Sequence, residues 1–170
     1  MRRFYLFLLC CLGGFASAEE SPTSELPMVV IGEIEWIGIA ESKFAYSSRI
    51  DTGATTSSIH AENIKGFERD GQAWVRFDLV NPDGDGRVHL EKKVTRVAEI
   101  KRHGAEPQKR YVVHLKAVYA GFSSDLEFSL TDRSAYTFPL LVGRNLLRGT
   151  AMVDVNLKHT LGKPKFTKKK

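Results

Sequence analysis

The sequence predicts an all-β domain, folded as a closed or nearly closed barrel with one short helix near its C-terminus. Short runs rich in β-branched and aromatic residues recur along the 170 residues, and several of them alternate apolar and polar side chains. Only Arg144 to Arg148 has the character of a helix, and the sequence contains no internal repeat. Seven or more short strands with little helix favour a barrel over a parallel α/β sheet.

The first eighteen residues have the pattern of a secretory signal peptide. Arg2 and Arg3 form a positively charged start, residues 4–15 are apolar, and residues 16–18 form the small-residue cleavage site Ala-Ser-Ala. We therefore expect an exported protein, periplasmic or secreted, with no stable membrane span after cleavage of residues 1–18. The alternative is an uncleaved membrane anchor, although the apolar stretch is short for a membrane-spanning helix.

The rest of the chain is expected to form one domain. Residues 19–27 are rich in Ser, Pro and Glu and predict a linker, residues 28–160 the domain, and residues 161–170 a basic tail. Cys10 and Cys11 lie inside the signal segment, so the mature chain is expected to have no thiol. This excludes a cysteine protease and a zinc site built on cysteines.

Charge gives no support for a nucleic-acid partner. The formal net charge is +5, but Arg2, Arg3 and the lysines after residue 162 contribute much of it. No basic patch is interleaved with aromatic residues, so nucleic acid is not expected. The tail is expected to be solvated, with contact to anionic lipid or cell-wall polymer as the alternative.

The predicted strands begin at the start of the domain. Met28 to Ala40 is the first, with bends or bulges at Gly32 and Gly38, and Phe44 to Ile50 is the second.

A hairpin is predicted next. Ala73 to Val80 alternates apolar and polar residues, Asn81 to Gly86 is a strong turn signal, and Arg87 to Ile100 is the expected partner strand. After it, Lys101 to Lys109 is predicted to be a polar loop. Further strands are expected at residues 110–119, 125–130 and 136–142.

The segment from Ile50 to Ala54, Ile-Asp-Thr-Gly-Ala, carries the candidate chemistry. An apolar strand ending in Asp51 delivers a carboxylate onto a tight loop, where Gly53 lets the backbone turn and the Thr52 hydroxyl can bond to a neighbouring loop. Alone, such a triplet is more often an ordinary turn. A second segment, Leu140 to Leu147, changes that balance because its apolar run ends in Gly-Arg-Asn and a short helix.

In this order, the two segments resemble the two signatures of retropepsins, the dimeric aspartic proteases of retroviruses. The match extends to residues 33–36, 49–61, 74–77 and 130–133, and over roughly residues 30–155 the chain is similar to a bacterial retropepsin-like family often labelled "ATP-dependent zinc protease". The resemblance implies a closed retropepsin-like (acid protease) β-barrel. It also implies a catalytic loop of Asp51, Thr52 and Gly53, and substrate contacts from Ala54, Gly143, Arg144 and His60. For His60, a structural or surface role is the alternative.

The sequence does not support the cofactors in that label. It has no phosphate-binding Gly-rich loop ending in Lys-Ser or Lys-Thr and no His-Glu-x-x-His motif. The five histidines are scattered without ligand spacing, although three could still converge in space. We therefore expect no cofactor and no metal.

A homodimer is expected because one chain has one Asp-Thr-Gly. A single carboxylate cannot both activate water and protonate the substrate, whereas two adjacent carboxylates can. Asp51 and its symmetry mate would then hydrolyse a peptide or protein substrate. The alternative is a non-catalytic retropepsin-fold module that binds a peptide or an envelope component. A carbohydrate-binding β-sandwich would leave the Gly-Arg-Asn segment unexplained.

Two departures from the viral pattern bear on the site. Thr55 stands where the viral enzymes carry an acidic residue that pairs with the arginine of Gly-Arg-Asn, so Arg144 needs another partner, such as an interface carboxylate or a substrate carboxylate. The longer spacing between the motifs predicts a flap over the substrate at Asn81 to Gly86, which we favour slightly, or at Lys101 to Lys109.

Overall fold

The computed structural model describes residues 28–102 and 105–166, which form eleven strands and one short helix. The predicted signal peptide (residues 1–18), the predicted linker (19–27) and the last four residues of the basic tail lie outside the described residues. The strands are β1 (Val29–Ile39), β2 (Phe44–Ile50), β3 (Ser57–His60), β4 (Glu62–Arg69), β5 (Gln72–Val80), β6 (Arg87–Lys93), β7 (Arg96–Arg102), β8 (Ala105–Tyr119), β9 (Phe122–Thr131), β10 (Leu140–Val142) and β11 (Ala151–Lys158). The helix α1 (Arg144–Leu147) lies between β10 and β11.

Eight strands form one mixed sheet in the order β11-β1-β2-β10-β3-β9-β8-β7. The sheet curls until β1 also pairs with β8, where Gly38 is opposite Val118 and Ile39 is opposite Ala117. These pairs make a partial ring of β1, β2, β10, β3, β9 and β8, with β11 and β7 outside it. The all-β class with one short helix is confirmed, and the barrel is a partly closed ring rather than a clean cylinder.

Strands β4, β5 and β6 form a second, three-stranded sheet. The alternation predicted for β5 is confirmed, since Val75, Phe77 and Leu79 are fully buried in the common core. The two sheets approach closely, because a Cβ atom at Gly66 would lie 2.2 Å from the Tyr111 hydroxyl oxygen. Within the described residues, no helix has the length and apolar character needed to cross a membrane.

The predicted partner strand from Arg87 to Ile100 is wrong as a single strand. Its first part, β6, pairs with β5, and its second part, β7, pairs with β8 in the larger sheet. The change occurs between consecutive residues: the Val94 N–H donates to the Ala73 carbonyl, and the Thr95 N–H donates to the Val112 carbonyl. One extended segment therefore connects the two sheets.

The predicted loop at Lys101 to Lys109 is also wrong, because β7 continues to Arg102 and β8 begins at Ala105. Glu99 opposite Lys109 and Ile100 opposite Gln108 are ladder pairs of a β7–β8 hairpin. Polar and charged cross-strand pairs are stable on an exposed hairpin, so charge alone did not indicate a loop here.

The bulge expected near Gly32 is confirmed by a register shift in β1 between Gly32 and Ile34. Strands β4 and β11 were not predicted, and the strand expected at residues 136–142 is limited to β10.

A buried carboxylate connects β1 to the segment after β11. Glu35 is fully buried, and its carboxylate accepts hydrogen bonds from the Gly32 N–H (2.7 Å), the Thr160 N–H (3.0 Å) and hydroxyl (2.5 Å), and the Leu161 N–H (3.1 Å). Burial pushes the pKa of Glu35 upward, but these donors outweigh it and the pKa lies below its ordinary value. The carboxylate therefore anchors the end of the domain.

Residues 161–166, which the sequence assigned to the basic tail, lie against the first strand. Phe166 packs over Gly38, and the Lys163 ammonium lies 4.7 Å from the centre of the Trp36 ring. Lys163 also pairs with Asp83 at 2.7 Å. These contacts attach the segment to the domain.

Candidate active site

The end of β2 presents Asp51 on a tight loop. The Asp51 N–H donates to the Val142 carbonyl of β10 at 2.9 Å, which continues the parallel pairing of β2 with β10. The Asp51 Oδ1 atom accepts hydrogen bonds from the Gly53 N–H at 2.9 Å and the Ala54 N–H at 3.1 Å. Two backbone donors on one oxygen fix the direction of the carboxylate. The catalytic loop predicted from Asp51, Thr52 and Gly53 is thus a compact turn after an apolar strand.

Gly143 contacts the back of this loop. A Cβ atom at position 143 would lie 2.7 Å from the Thr56 carbonyl carbon and 3.0 Å from the Ala54 carbonyl oxygen, distances that only glycine avoids. The Gly143 N–H also donates to the Ser57 hydroxyl at 3.0 Å. The second motif therefore packs directly against the back of the Asp51 loop. The predicted substrate contact of Gly143 stays a prediction.

Arg144 binds the same loop from the start of the helix. Its guanidinium donates to the Thr52 carbonyl at 2.9 Å, the Gly53 carbonyl at 2.7 Å and the Thr55 hydroxyl at 2.9 Å. Its backbone N–H donates to the Ala54 carbonyl at 2.8 Å. The partner that the sequence left open is thus a set of neutral oxygens in the same chain. The interface or substrate carboxylate suggested for Arg144 is not needed to satisfy it.

Ser57 and Asn145 also hold the two motifs together, and the sequence analysis assigned them no role. The Asn145 Oδ1 atom accepts hydrogen bonds from the Ser57 N–H at 2.9 Å and the Ser57 hydroxyl at 2.8 Å. The Asn145 amide then donates to the Glu127 carbonyl at 2.9 Å. One amide side chain therefore links the loop, the helix and β9. The sequence signal was a pair of serines directly after the Asp loop. The structure shows that the short segment containing them is buried throughout.

A cavity of about 610 Å³ borders the Asp51 loop. Its walls come from the loop, from β3, from the β7–β8 hairpin and from the turn after β9. The residues that line it are Asp51, Ala54, Thr55, Thr56, Ser58, Arg96, Val97, Ala98, Glu99, Ile100, Arg110, Val112, Ser129, Arg133 and Leu141. Among the described residues, the buried Ser58 hydroxyl has no hydrogen-bond partner.

Three guanidinium groups belong to this cavity, from Arg96, Arg110 and Arg133. Arg96 is paired with Glu127 at 2.7 Å, at the edge of the loop. Burial lowers the pKa of Arg133; the Arg110 charge lowers it further, while Tyr136 and Asp51 act in the opposite direction. The Arg133 guanidinium therefore lies within electrostatic reach of both Arg110 and the Asp51 carboxylate.

His60 does not line this cavity. It is largely buried, and its Nδ1 atom accepts a hydrogen bond from the Arg133 N–H at 2.9 Å. Glu62 and Asp132 each place a carboxylate oxygen 3.5 Å from its ring. The Arg133 side chain donates to the Phe138 carbonyl at 3.0 Å and so closes the turn after β9. The geometry supports the structural alternative for His60.

The favoured flap segment, Asn81 to Gly86, does not border the cavity beside Asp51. Asp83 pairs with Lys163, and Gly86 faces the Phe44 ring. No residue of this turn lines the cavity beside Asp51, whereas Val97 to Ile100 and Arg110 of the β7–β8 hairpin do. The slight preference for Asn81 to Gly86 is therefore not supported. The residues that flank the other segment, Ile100 and Arg110, line the cavity, and a flap at Lys101 to Lys109 stays a prediction.

Within residues 28–102 and 105–166, no three His, Cys, Asp or Glu side chains come together in a way that could hold a metal ion. Asp51 and Thr52 also border a second cavity of about 410 Å³, which extends to β11. The symmetry-related carboxylate that the sequence requires would come from another copy of the chain and stays a prediction.

Comparison with known proteins identifies the family. A model of the RimB-like family, described as retropepsin-like aspartic endopeptidase RimB, matches residues 30–164. The chain belongs to the RimB-like family. This confirms the retropepsin-like part of the resemblance seen in the sequence.

Relatives of this RimB-like chain carry a different name from the zinc protease label. A probable alpha-L-glutamate ligase of Shewanella pealeana is 35% identical over 136 residues, which cover 78% of this chain and 30% of the relative. A protein of the same name from Desulfotalea psychrophila is 32% identical over 143 residues, covering 82% of this chain and 31% of the relative. The RimB-like chain therefore spans about three-tenths of the length of these relatives.

A solved structure has the same fold. The crystal structure of Lpg0085 from Legionella pneumophila, described as a protein of unknown function, superposes with a TM-score of 0.67 at 27% identity. The match covers 78% of the RimB-like chain and 98% of Lpg0085. Nearly all of that protein is thus one domain of this type.

Proposed function

We propose that this RimB-like chain is one subunit of a homodimeric aspartic endopeptidase in which two Asp51 carboxylates share one active site. The observation that carries the proposal is the Asp51 loop, where two backbone N–H groups hold Oδ1 at the border of a cavity of about 610 Å³. Gly143 and Arg144 pack and bond this loop from behind, so its shape is fixed before a substrate arrives. A preorganised carboxylate beside a cavity of this size suits the hydrolysis of a bound peptide.

The chemistry follows from two carboxylates that share one proton. Mutual repulsion keeps one Asp51 ionised and its mate protonated over the same pH range. The ionised carboxylate removes a proton from the bound water, whose oxygen attacks the carbonyl carbon of the peptide. The protonated mate donates its proton to the carbonyl oxygen as negative charge develops. As the C–N bond breaks, the Asp51 that took the proton from water delivers it to the leaving nitrogen, and the mate regains a proton from the hydroxyl of the collapsing intermediate. The protein's own groups therefore supply both the base and the acid.

The charge of the cavity favours substrates that carry carboxylates. Arg110 and Arg133 line the same cavity as Asp51, and Arg133 lies within electrostatic reach of both. Arg133 is mostly buried, so an incoming anion would offset a charge with little solvent around it. The relatives that carry a similar domain are named probable alpha-L-glutamate ligases, which is consistent with a substrate rich in acidic residues. Their ligase activity belongs to proteins about three times as long as the segment matched here.

Export is part of the proposal. The pattern of residues 1–18, with a basic start, an apolar stretch and Ala-Ser-Ala, supports cleavage after Ala18 and a periplasmic or secreted enzyme. The N-terminal sequence of the protein recovered from the periplasm or the medium tests this. A chain that stays in the cytoplasm with residues 1–18 intact would rule export out.

The activity is tested by incubating the purified protein with a peptide library that includes acidic sequences and identifying the products by mass spectrometry. Asp51→Asn should abolish cleavage and leave the melting temperature unchanged. Asp70→Asn is the matched control, since Asp70 is an exposed turn residue with φ of +53°, a conformation that asparagine also adopts. Full activity in Asp51→Asn would end the proposal. Tight peptide binding without cleavage by the unmodified protein would favour the binding-module alternative.

A further inference from the structure

His60 holds both ends of the turn that connects β9 to β10. Its backbone N–H donates to the Pro139 carbonyl at 2.7 Å, at the end of the turn. Its Nδ1 atom accepts a hydrogen bond from the Arg133 N–H at 2.9 Å, at the start of the turn. His60 itself is part of β3, where it lies opposite Thr131 of β9. One residue therefore ties this turn, residues 132–139, to the sheet, and we call it the Arg133 turn.

The Arg133 turn places a guanidinium at the cavity beside Asp51. Arg133 is 9% exposed and lines that cavity. Its Nε atom donates to the Phe138 carbonyl at 3.0 Å, and its guanidinium carbon lies 4.7 Å from the centre of the Tyr136 ring. No hydrogen bond joins the two terminal nitrogens to another of the described residues. These nitrogens therefore keep their donors for a bound molecule.

The bond between His60 and the Arg133 turn requires a neutral imidazole ring. Because Nδ1 accepts the Arg133 N–H, the single ring proton is on Nε2, and a second proton on Nδ1 would face that N–H. Two carboxylates lie next to the ring, Asp132 at 3.5 Å from Nδ1 and Glu62 at 3.5 Å from Nε2. Glu62 also pairs with Arg87 of β6. Protonation would thus exchange the bond to the turn for ion pairs with these carboxylates.

We infer that His60 is a positioning residue for Arg133, and that protonation of its ring weakens the binding of acidic substrates. The inference rests on the proposed function and adds to it the residue that directs the substrate-binding cation. A charged ring leaves the Arg133 N–H without its acceptor, so the turn loses the contact that fixes its start. Histidine changes charge between about pH 5 and 8, so the affinity for glutamate-rich peptides should fall with pH in that range.

Peptide binding to the full chain carrying Asp51→Asn tests the inference, because this substitution removes both cleavage and the titrating carboxylate pair. Fluorescence anisotropy gives Kd for a labelled glutamate-rich peptide and for a glutamine-rich peptide of the same length. Glutamate ordinarily titrates near a pH of about 4.3, so the peptide keeps its charge between about pH 5.5 and 8. Across that range, Kd for the glutamate-rich peptide should rise about tenfold on acidification. Kd for the glutamine-rich peptide should stay the same.

Substitutions of His60 in the Asp51→Asn protein separate positioning from general titration. His60→Asn supplies an acceptor oxygen near the position of Nδ1 but cannot take up a proton, so its Kd should remain low at every pH. His60→Leu removes the acceptor, so its Kd for the glutamate-rich peptide should be about tenfold higher at every pH. His60→Asn decides the question even if His60→Leu fails to fold.

His114→Asn is the matched control. His114 also has a carboxylate neighbour, Asp125 at 3.0 Å, but it does not line the cavity beside Asp51. This variant should keep the full pH dependence of peptide binding. In the active enzyme, His60→Leu should raise KM for the glutamate-rich peptide about tenfold and leave kcat unchanged, because His60 acts on binding through Arg133.

Two results would overturn the inference. The first is a Kd that rises on acidification as much in His60→Asn as in the protein that carries Asp51→Asn alone, because another group would then cause the pH dependence. The second is a Kd for the glutamate-rich peptide that stays constant with pH in the Asp51→Asn protein. If the unmodified protein cleaves peptides with such a constant affinity, the protease stands and the role of His60 is rejected. If it cleaves none, but its binding depends on pH only while His60 is present, the role of His60 stands and the protease is rejected.

Discussion

The Arg144 guanidinium donates a 2.7 Å hydrogen bond to the carbonyl oxygen of Gly53, whose own N–H donates to the Asp51 carboxylate at 2.9 Å. The Gly53 carbonyl shares its peptide unit with the Ala54 N–H, and the Thr52 carbonyl, which Arg144 also binds, shares its peptide unit with the Gly53 N–H. Both N–H groups donate to the Asp51 carboxylate, so a side chain of the second motif holds the two peptide units that orient it. The same guanidinium also binds the Thr52 carbonyl and the Thr55 hydroxyl, so it spans most of the loop. We therefore expect the position of the Asp51 carboxylate to depend on this contact.

Arg144→Lys should reduce catalysis much more than stability. Lysine keeps the positive charge but cannot reach two carbonyls and a hydroxyl with one planar group. A loop displaced by a fraction of an ångström is expected to lower kcat/KM about 10- to 100-fold while the melting temperature changes little. Arg148→Lys, one turn further along on an exposed residue, is the control and should retain normal kcat/KM. Normal kinetics in Arg144→Lys would show that the contact does not position Asp51.

Gly143→Ala should destabilise the fold. The added methyl group would lie 2.7 Å from the Thr56 carbonyl carbon, and backbone atoms cannot move aside as a flexible side chain can. Forced overpacking of this kind costs about 1–3 kcal/mol, measurable as a lower urea midpoint with an unchanged m-value. Gly84→Ala is the control, because its nearest neighbour would be the Asn81 amide at 3.7 Å, an ordinary contact. Equal midpoints for the two variants would contradict the close approach.

Local patterns made part of the fold predictable. The alternation in β5 and the apolar run before Asp51 depend on neighbours in sequence, and both are confirmed. The switch between sheets at Val94 and Thr95 was not predictable, because both residues continue one β-rich run. Only their distant partners, Ala73 and Val112, distinguish them.

The candidate site divides in the same way. Asp51 and Gly143 stand in short motifs that can be recognised without a structure. The connection between Ser57 and Asn145 joins residues 88 positions apart, and a serine or asparagine in sequence is as often a surface residue as a buried link. Long-range hydrogen bonds of this kind carry no local periodicity, so sequence reasoning did not assign them.

Asn145→Ala should be among the most destabilising single changes at the site. The substitution leaves the buried Ser57 N–H and hydroxyl and the Glu127 carbonyl without their partner. Each unsatisfied buried group costs about 1–3 kcal/mol, so a loss of several kcal/mol in the free energy of unfolding is expected. Asn145→Asp keeps the acceptor for Ser57 and should recover part of the lost free energy of unfolding. Chemical denaturation measures both, and a loss below about 1 kcal/mol for Asn145→Ala would contradict the link.

Glu35→Gln should lower the free energy of unfolding at neutral pH. It should also reduce the loss of stability that the protein undergoes at acidic pH. Hydrogen-bond donors hold the folded pKa of Glu35 below its ordinary value of 4.5 despite burial, so its stabilisation is complete above that value. The stabilisation is lost as the pH falls through the lower, folded pKa. Glutamine keeps one acceptor but turns an N–H₂ group toward backbone donors, which should cost about 2–3 kcal/mol at pH 7. The difference in the free energy of unfolding between the variant and the unmodified protein should shrink on acidification.

Glu68→Gln, at an exposed position on β4, is the control and should follow the unmodified protein at every pH. A difference for Glu35→Gln that stays constant with pH would contradict the role of the charge.

Arg110→Gln should reduce the preference for acidic peptides without reducing turnover. Arg110 lines the cavity beside Asp51 and acts on the charge of Arg133, so its removal takes one positive charge from the place where a substrate side chain would lie. We expect KM for a glutamate-rich peptide to rise about tenfold, or about 1.4 kcal/mol, while kcat for it and KM for a matched glutamine-rich peptide stay the same. Lys65→Gln, at an exposed position on β4, removes the same charge from a residue that does not line the cavity and should leave both peptides unaffected. Because a partly screened charge is involved, the difference between the two peptides should also narrow with added salt in the unmodified enzyme. An equal rise in KM for both peptides would mean that Arg110 shapes the cavity rather than selecting its charge.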